Sequence, residues 1–206
     1  MKKQLILIAF ASIGFCSFAS GPNKGGKNNE TLKVNATESS VKWHATKVTG
    51  EHTGTINVQS GEVSVEGNNL TGANVNIDMS SILDSDMQGE YKGKLEGHLK
   101  SDDFFAVEKF KTANLKVKSI SAIKGAKAGS DNYTVVADLT IKGITKEITF
   151  PAMVVVAKDK VIANVSLDIN RASYDIRYGS RSFFEGLGDK AIDDNFNIKV
   201  RLIAQR

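Results

Sequence analysis

The sequence predicts an all-β chain: an antiparallel barrel of about eight strands with one short helix. Three observations carry that expectation. Apolar and polar residues alternate with period two through most of the chain after Leu32, the pattern of strands with one buried face. Clusters of Gly, Asn and Asp break the alternation where tight turns are needed. One stretch, residues 89–111, changes period: Tyr91, Leu95 and Leu99 fall four apart, and Phe104, Phe105, Val107 and Phe110 follow at once. Long strands with a single apolar face are suited by closure, which also removes exposed edges. A two-layer sandwich of the same strands would show the same periodicity.

Taken in order, residues 1–19 read as a secretory signal, with Lys2 and Lys3 ahead of an apolar run and small Ser17 and Ala19 at its end. Residues 20–31, rich in Gly, Asn and Lys, read as a disordered leader, so the barrel domain is expected over 32–206. Val41, Trp43 and Ala45 share one strand face, opposite Lys42, His44 and Thr46. Ile56 and Val58 begin the next strand, and Ser60-Gly61 signals a turn before Val63 and Val65. After Gly67-Asn68-Asn69 comes a strand facing inward through Ala73, Val75, Ile77 and Met79, then a loop over 80–89. In the helix that follows, Lys92, Lys94, Glu96 and Lys100 are expected to face water. Gly93 and Gly97 each weaken it by about 1 kcal/mol relative to Ala, so it needs a surface to pack on.

Ala113, Leu115 and Val117 resume the alternation, and Tyr133, Val135, Ala137, Leu139 and Ile141 give its clearest example. Pro151 is expected to end or bend the following strand, and residues 153–157, apolar on both sides, to lie centrally in the sheet. Val161, Ala163, Val165, Leu167 and Ile169 form one more face, and Phe196, Ile198, Val200 and Leu202 the last. Between them, residues 170–190 are too long and too rich in Arg, Tyr and Phe for a hairpin turn; the part from Tyr174 to Phe184 is expected to cover a barrel end.

The 206 residues carry a formal charge of +4, two of those positives being Lys2 and Lys3. That balance argues against nucleic acid as a partner. Cys16 is the only cysteine, which rules out an internal disulfide. The expected location is periplasmic or secreted; the alternative is a lipoprotein anchored through Cys16, for which Ile13 and Gly14 suit the motif and Phe15 does not. Contact with membranes is expected to be peripheral or transient, and a monomer is favoured.

The chain lacks a Gly-x-Ser-x-Gly elbow and a Gly-rich phosphate loop, and its one cysteine falls in or beside the signal. No catalytic residue, cofactor or metal is therefore expected, and no enzyme activity. His44, His52 and His98 lack the spacing of a metal motif; His98 is expected to be a hydrogen-bonded residue at the helix end. Asp138 is expected to pair with a neighbouring lysine, Lys142 or Lys146, and Arg171 with an acidic side chain that ties the long loop to the barrel. The roles of Arg177 and Arg181 stay open.

Four stretches resemble the YceI-like family of exported, lipid-binding proteins. They are Ser40-Val41-Lys42-Trp43, the run from Gly97-His98-Leu99 to Phe104-Phe105, the run from Ala137-Asp138-Leu139 to Lys146, and Asn170-Arg171 with Tyr174 and Ile176. The resemblance covers residues 32–202. Lys111 stands where the family often has Pro, and Leu115 where it usually has Phe. The resemblance implies a lipocalin-like barrel that binds a long apolar lipid, of which polyisoprenoids are the expected class. Trp43, Leu95, Leu99, Phe104 and Phe110 are the candidate wall residues. The competing reading is a ligand-free structural or protein-interaction domain of the cell envelope, its aromatics filling a solid core.

Overall fold

The computed structural model describes residues 29–206. The expected signal and most of the expected leader lie outside the described residues. Strand β1, Asn29–Val34, begins three residues before the alternation at Leu32, so the end of the expected leader is part of the sheet.

All the strands join one antiparallel sheet that closes on itself. They are β1, β2 (Ser40–Lys47), β3 (Gly50–Glu66), β4 (Asn69–Asp84), β5 (Thr112–Ala122), β6 (Tyr133–Ile141), β7 (Ile144–Val156), β8 (Lys160–Asn170) and β9 (Ile192–Gln205). Each of β4 to β9 pairs with its sequence neighbour, β9 pairs with β2, and β3 pairs with β4 to seal the ring. Nine strands occupy eight positions, because β1 and β2 share one. β1 pairs with the far half of β3 (Leu32 opposite Val63) and β2 with the near half (Val41 opposite Ile56), both running along β9. The jog between them is built on Asn35, whose Oδ1 accepts from the N–H groups of Thr37 and Glu38, an Asx turn. The sandwich alternative is thereby excluded.

Alternation decides which side chains point inward. Along β6 all five odd-numbered residues from Tyr133 to Ile141 are buried, and the even-numbered ones between them are partly exposed. The outward faces carry charge, as in the Lys118 pairs with Glu147 (2.6 Å) and Asp138 (3.7 Å). The lysine that meets Asp138 is thus across the ladder on β5, rather than the expected Lys142 or Lys146. A lipid-spanning barrel has the opposite arrangement, an apolar belt outside. Among the described residues no helix is long and apolar enough to cross a membrane.

Two breaks read from the sequence are absorbed by the sheet. Ser60-Gly61 is no turn: β3 runs through it with a register shift against β4 between Val58 and Ser60, a bulge that bends the strand around the barrel. Pro151 sits inside β7. The ladder to β8 starts only at Met153, so the missing N–H is not required there. Residues 153–157 are also not apolar-buried on both sides: Val154 is buried and Val155 is half exposed.

At one end of the barrel, β3–β4, β5–β6 and β7–β8 turn back, and β1 closes the space with Leu32 buried beside Val63 and Val65. At the other end stand the helix α1 (Gly89–Lys100), the β6–β7 turn and the segment 171–191. α1 buries no residue fully, and Tyr91, expected on its apolar stripe, is 69% exposed. The helix is held instead by Leu99, packed on the core, and by Glu96, whose Oε1 accepts from the Asp84 N–H (2.9 Å). Glu96 therefore points to the sheet, contrary to its expected exposure, because the last turn of β4 leaves that N–H without a ladder partner.

Gly54 marks a close approach. A Cβ there would lie 1.9 Å from the Leu83 carbonyl oxygen and 2.4 Å from the Trp43 ring. The Gly54→Ala variant should lose about 3 kcal/mol, the upper range for overpacking. Urea unfolding reads this directly; an unchanged midpoint would mean the Trp43 ring does not lie against Gly54.

Candidate functional site

The barrel interior is hollow. A cavity of about 250 Å³ runs between the strands, lined by inward residues of β2 to β9 together with Leu99, Phe104 and Phe105. Its wall is apolar throughout except for Arg171 and Asp193. Small side chains at inward positions leave the space: Ala45, Ala73, Ala113, Ala152 and Ala163 all face it. An eight-stranded ring has an interior that large side chains would fill. Here the choice of Ala and Val leaves room for a ligand.

Of the five candidate wall residues, Trp43, Leu99 and Phe104 line the cavity. Leu95 and Phe110 do not. Leu95 is one turn earlier on α1, whose one apolar side chain packed on the core is Leu99. Phe110 lies against Gly143, where a Cβ would meet its ring at 2.8 Å. It wedges the β6–β7 turn instead of facing inward. Sequence reasoning did not assign Phe105 and Phe196 to the site; their rings meet edge-on at 6.4 Å along the wall. Phe196 was placed on an inward face by alternation, so its parity was the available signal; Phe105 sits in a turn, where no period applies.

The end beneath α1 is closed by a cluster of rings. His98 lies edge-on to Tyr178 (4.4 Å) and to Phe104 (5.0 Å). Its Nε2 is buried with no hydrogen-bond partner, so His98 serves as an aromatic contact, and the expected hydrogen bond is absent at that nitrogen. The loop itself hangs on Arg171, which is 3% exposed. Its Nε donates to the Asp193 carbonyl, Nη1 to those of Ile176 and Tyr178, and Nη2 to that of Ile192. Asp194 stands 3.3 Å from Nη2 as an ion pair. Four of the five guanidinium N–H donors go to backbone carbonyls, and the fifth lies on Nη2 beside Asp194, so the group is committed to this chain. Burial pushes its pKa down from the usual value, with Asp194 and Asp193 opposing. Burial raises the pKa of Asp194, but hydrogen bonds from Ser180 and Ser182 and the charge of Arg171 outweigh it and hold the carboxyl below its usual range. Arg177 pairs with Asp175 and stacks over Phe183 at 4.9 Å. Phe183 and Phe184 remain exposed.

The three histidines do not converge. His44 meets Glu51 (2.9 Å), while His52 meets Asp86 (2.9 Å) and lies close to Asp84. These partners come from a distant strand end, which spacing among histidines could not reveal.

A profile of the YceI-like domain family matches residues 32–204. A UPF0312 protein of Vibrio vulnificus is 31% identical over 99 residues, 48% of each chain, so the matched stretch is about half of the curated relative's length. Among solved structures, BcnA of Burkholderia cenocepacia superposes with a TM-score of 0.64 at 21% identity, covering 84% of this chain and 99% of BcnA. A polyisoprenoid binding domain from Saccharophagus degradans gives 0.60 at 16% identity, covering 84% and 97%. These two likenesses show the fold.

Arg171→Leu should lower stability by about 3 kcal/mol, since two loop carbonyls, two carbonyls at the start of β9 and Asp194 lose their partner. Limited proteolysis should then cut within residues 178–190 first; a variant as resistant as the parent would remove Arg171 from this role. Because the folded-state pKa of Asp194 is depressed, its contribution is present above the unfolded value of about 3.9 and is lost as pH falls through the lower folded value. Melting temperature should drop on acidification below about pH 4, less steeply in Asp194→Asn.

Proposed function

Because the chain belongs to the family of YceI-like domains, we propose that it binds one long apolar molecule, an isoprenoid or related lipid, inside the barrel and carries or sequesters it in an aqueous compartment outside the cytoplasm. The observation that carries this reading is the hollow apolar interior. At ~24 cal/mol per Å³, an unfilled cavity of about 250 Å³ costs about 6 kcal/mol, comparable to the whole stability of many domains. A hydrocarbon chain removes that cost and gains about 0.8 kcal/mol per CH₂ taken out of water. With Arg171 committed to the loop, recognition rests on apolar fit, and the molecule leaves chemically unchanged. A solid-core structural domain would have larger side chains at Ala45, Ala113 and Ala163, so the cavity favours the carrier over that alternative. The Saccharophagus domain, by its description a polyisoprenoid binder, supports the same ligand class.

Native mass spectrometry of detergent-free protein should show one added mass that organic solvent releases. Titration with a long isoprenoid should quench or shift Trp43 emission at a stoichiometry of one. Ala113→Phe, which fills the cavity from β5, should weaken that binding at least tenfold with the melting temperature held. Failure of isoprenoids and fatty chains alike to bind the emptied protein would leave the structural reading.

A further inference from the structure

We infer that the barrel rim beneath α1 holds a divalent transition-metal ion on His52, Asp84 and Asp86. The three residues come together by register. Ala45, which faces the cavity, is paired with His52 across the β2–β3 ladder. Gly54, two residues further along β3, is paired with Asp84 at the end of β4. Directly paired residues project from the same face of an antiparallel sheet, so His52 and Asp84 both project to the inward side at the rim. Asp86 follows in the connection to α1. One ligand atom from each residue, imidazole nitrogen or carboxylate oxygen, lies within 4.8 Å of the other two.

What distinguishes this from a chance acidic cluster is the state of Asp84. It is 1% exposed, and its Oδ2 has no hydrogen-bond partner. A buried carboxylate oxygen with nothing to accept from is costly. Its other oxygen is fixed, Oδ1 accepting from the Met87 N–H at 2.7 Å. Asp86 is held in the same way: Oδ1 accepts from the Thr53 N–H at 2.7 Å, and Oδ2 is directed at His52 Nδ1, 2.9 Å away. Each carboxylate thus has one oxygen anchored by backbone, which leaves Asp84 Oδ2 without a partner and Asp86 Oδ2 against His52; such anchoring is how outer contacts orient metal ligands.

Bonds of about 2.0–2.2 Å to nitrogen and carboxylate oxygen hold neighbouring ligand atoms roughly 3–3.5 Å apart, within reach of these side chains by small rotations. One imidazole and two carboxylates suit zinc and its first-row neighbours; Mg²⁺ and Ca²⁺ prefer oxygen alone. The side chains of His52 and Asp86 are 25% and 33% exposed, which gives the ion a path in and leaves room for water as a further ligand. Bound there, it would staple β3 to the β4–α1 connection. The site reports on itself, since Trp43 Nε1 donates to the carbonyl of Leu83, next to Asp84.

The test is calorimetric titration of tag-free, chelator-stripped full chain with ZnCl₂ at neutral pH, with Trp43 emission followed in parallel. The expected result is one Zn²⁺ per chain, unaffected by excess Mg²⁺. His52→Ala and Asp86→Asn, both at partly exposed positions, should each weaken binding at least about tenfold. His44→Ala, one strand away and paired with Glu51, should bind as the parent does. Circular dichroism establishes that each variant is folded. If the parent takes up no stoichiometric Zn²⁺, the inference falls. It falls equally if His52→Ala and Asp86→Asn bind undiminished, or if Mg²⁺ displaces the ion. None of these outcomes depends on whether a lipid occupies the barrel.

Discussion

Closing a sheet on itself imposes a fixed interior, and every inward side chain must share it. In an open sheet a small residue costs some packing at one place. In a ring of eight strand positions the deficits add along a common axis, because inward residues of opposite strands face one another across it. Ala45 on β2, Ala73 on β4, Ala113 on β5 and Ala163 on β8 therefore act together, and their joint effect is a continuous space instead of scattered voids. The polar exterior follows from the same ring: alternation that makes the inside apolar makes the outside charged.

The two ends are treated differently, and this gives the barrel its polarity. One end is plugged by β1, whose Leu32 is almost inaccessible to solvent beside Val63 and Val65. The other is covered by α1, which rests on it through Leu99 and Glu96, and by the segment 171–191, which buries Tyr174 and Ile176 in the core and is tied down by the Arg171 guanidinium. Beneath that cover the rings of His98, Phe104 and Tyr178 pack together as one cluster.

The inward faces were legible because period-two alternation reports directly on them: Ala73 to Met79, Val161 to Ile169 and Phe196 to Leu202 all point where parity places them. Closure was not legible, since a sandwich shares the same alternation; it is decided by the long-range pairing of β9 with β2, which joins the last strand to the start of the sheet. The site was legible only in part. Trp43 follows from parity and Leu99 from helical spacing, but the same spacing also selects Leu95, which stays off the cavity, and Phe110 comes from the aromatic run after the helix, where no period says which way a residue faces. Glu96 was misplaced because its partner is a backbone N–H at the end of another strand. His52 was judged against other histidines, whereas its partners Asp84 and Asp86 reach it through the β3–β4 register.

The described chain begins and finishes at the same pole. Glu30 near the start of β1 pairs with Arg206, the final residue (Oε2 to Nη2, 2.7 Å), and both lie at the plugged end. Anything joined ahead of Asn29 is therefore attached opposite α1. Were the chain moored to a bilayer through its leader, the helix-covered mouth would face away from that bilayer, toward whatever lies across the gap.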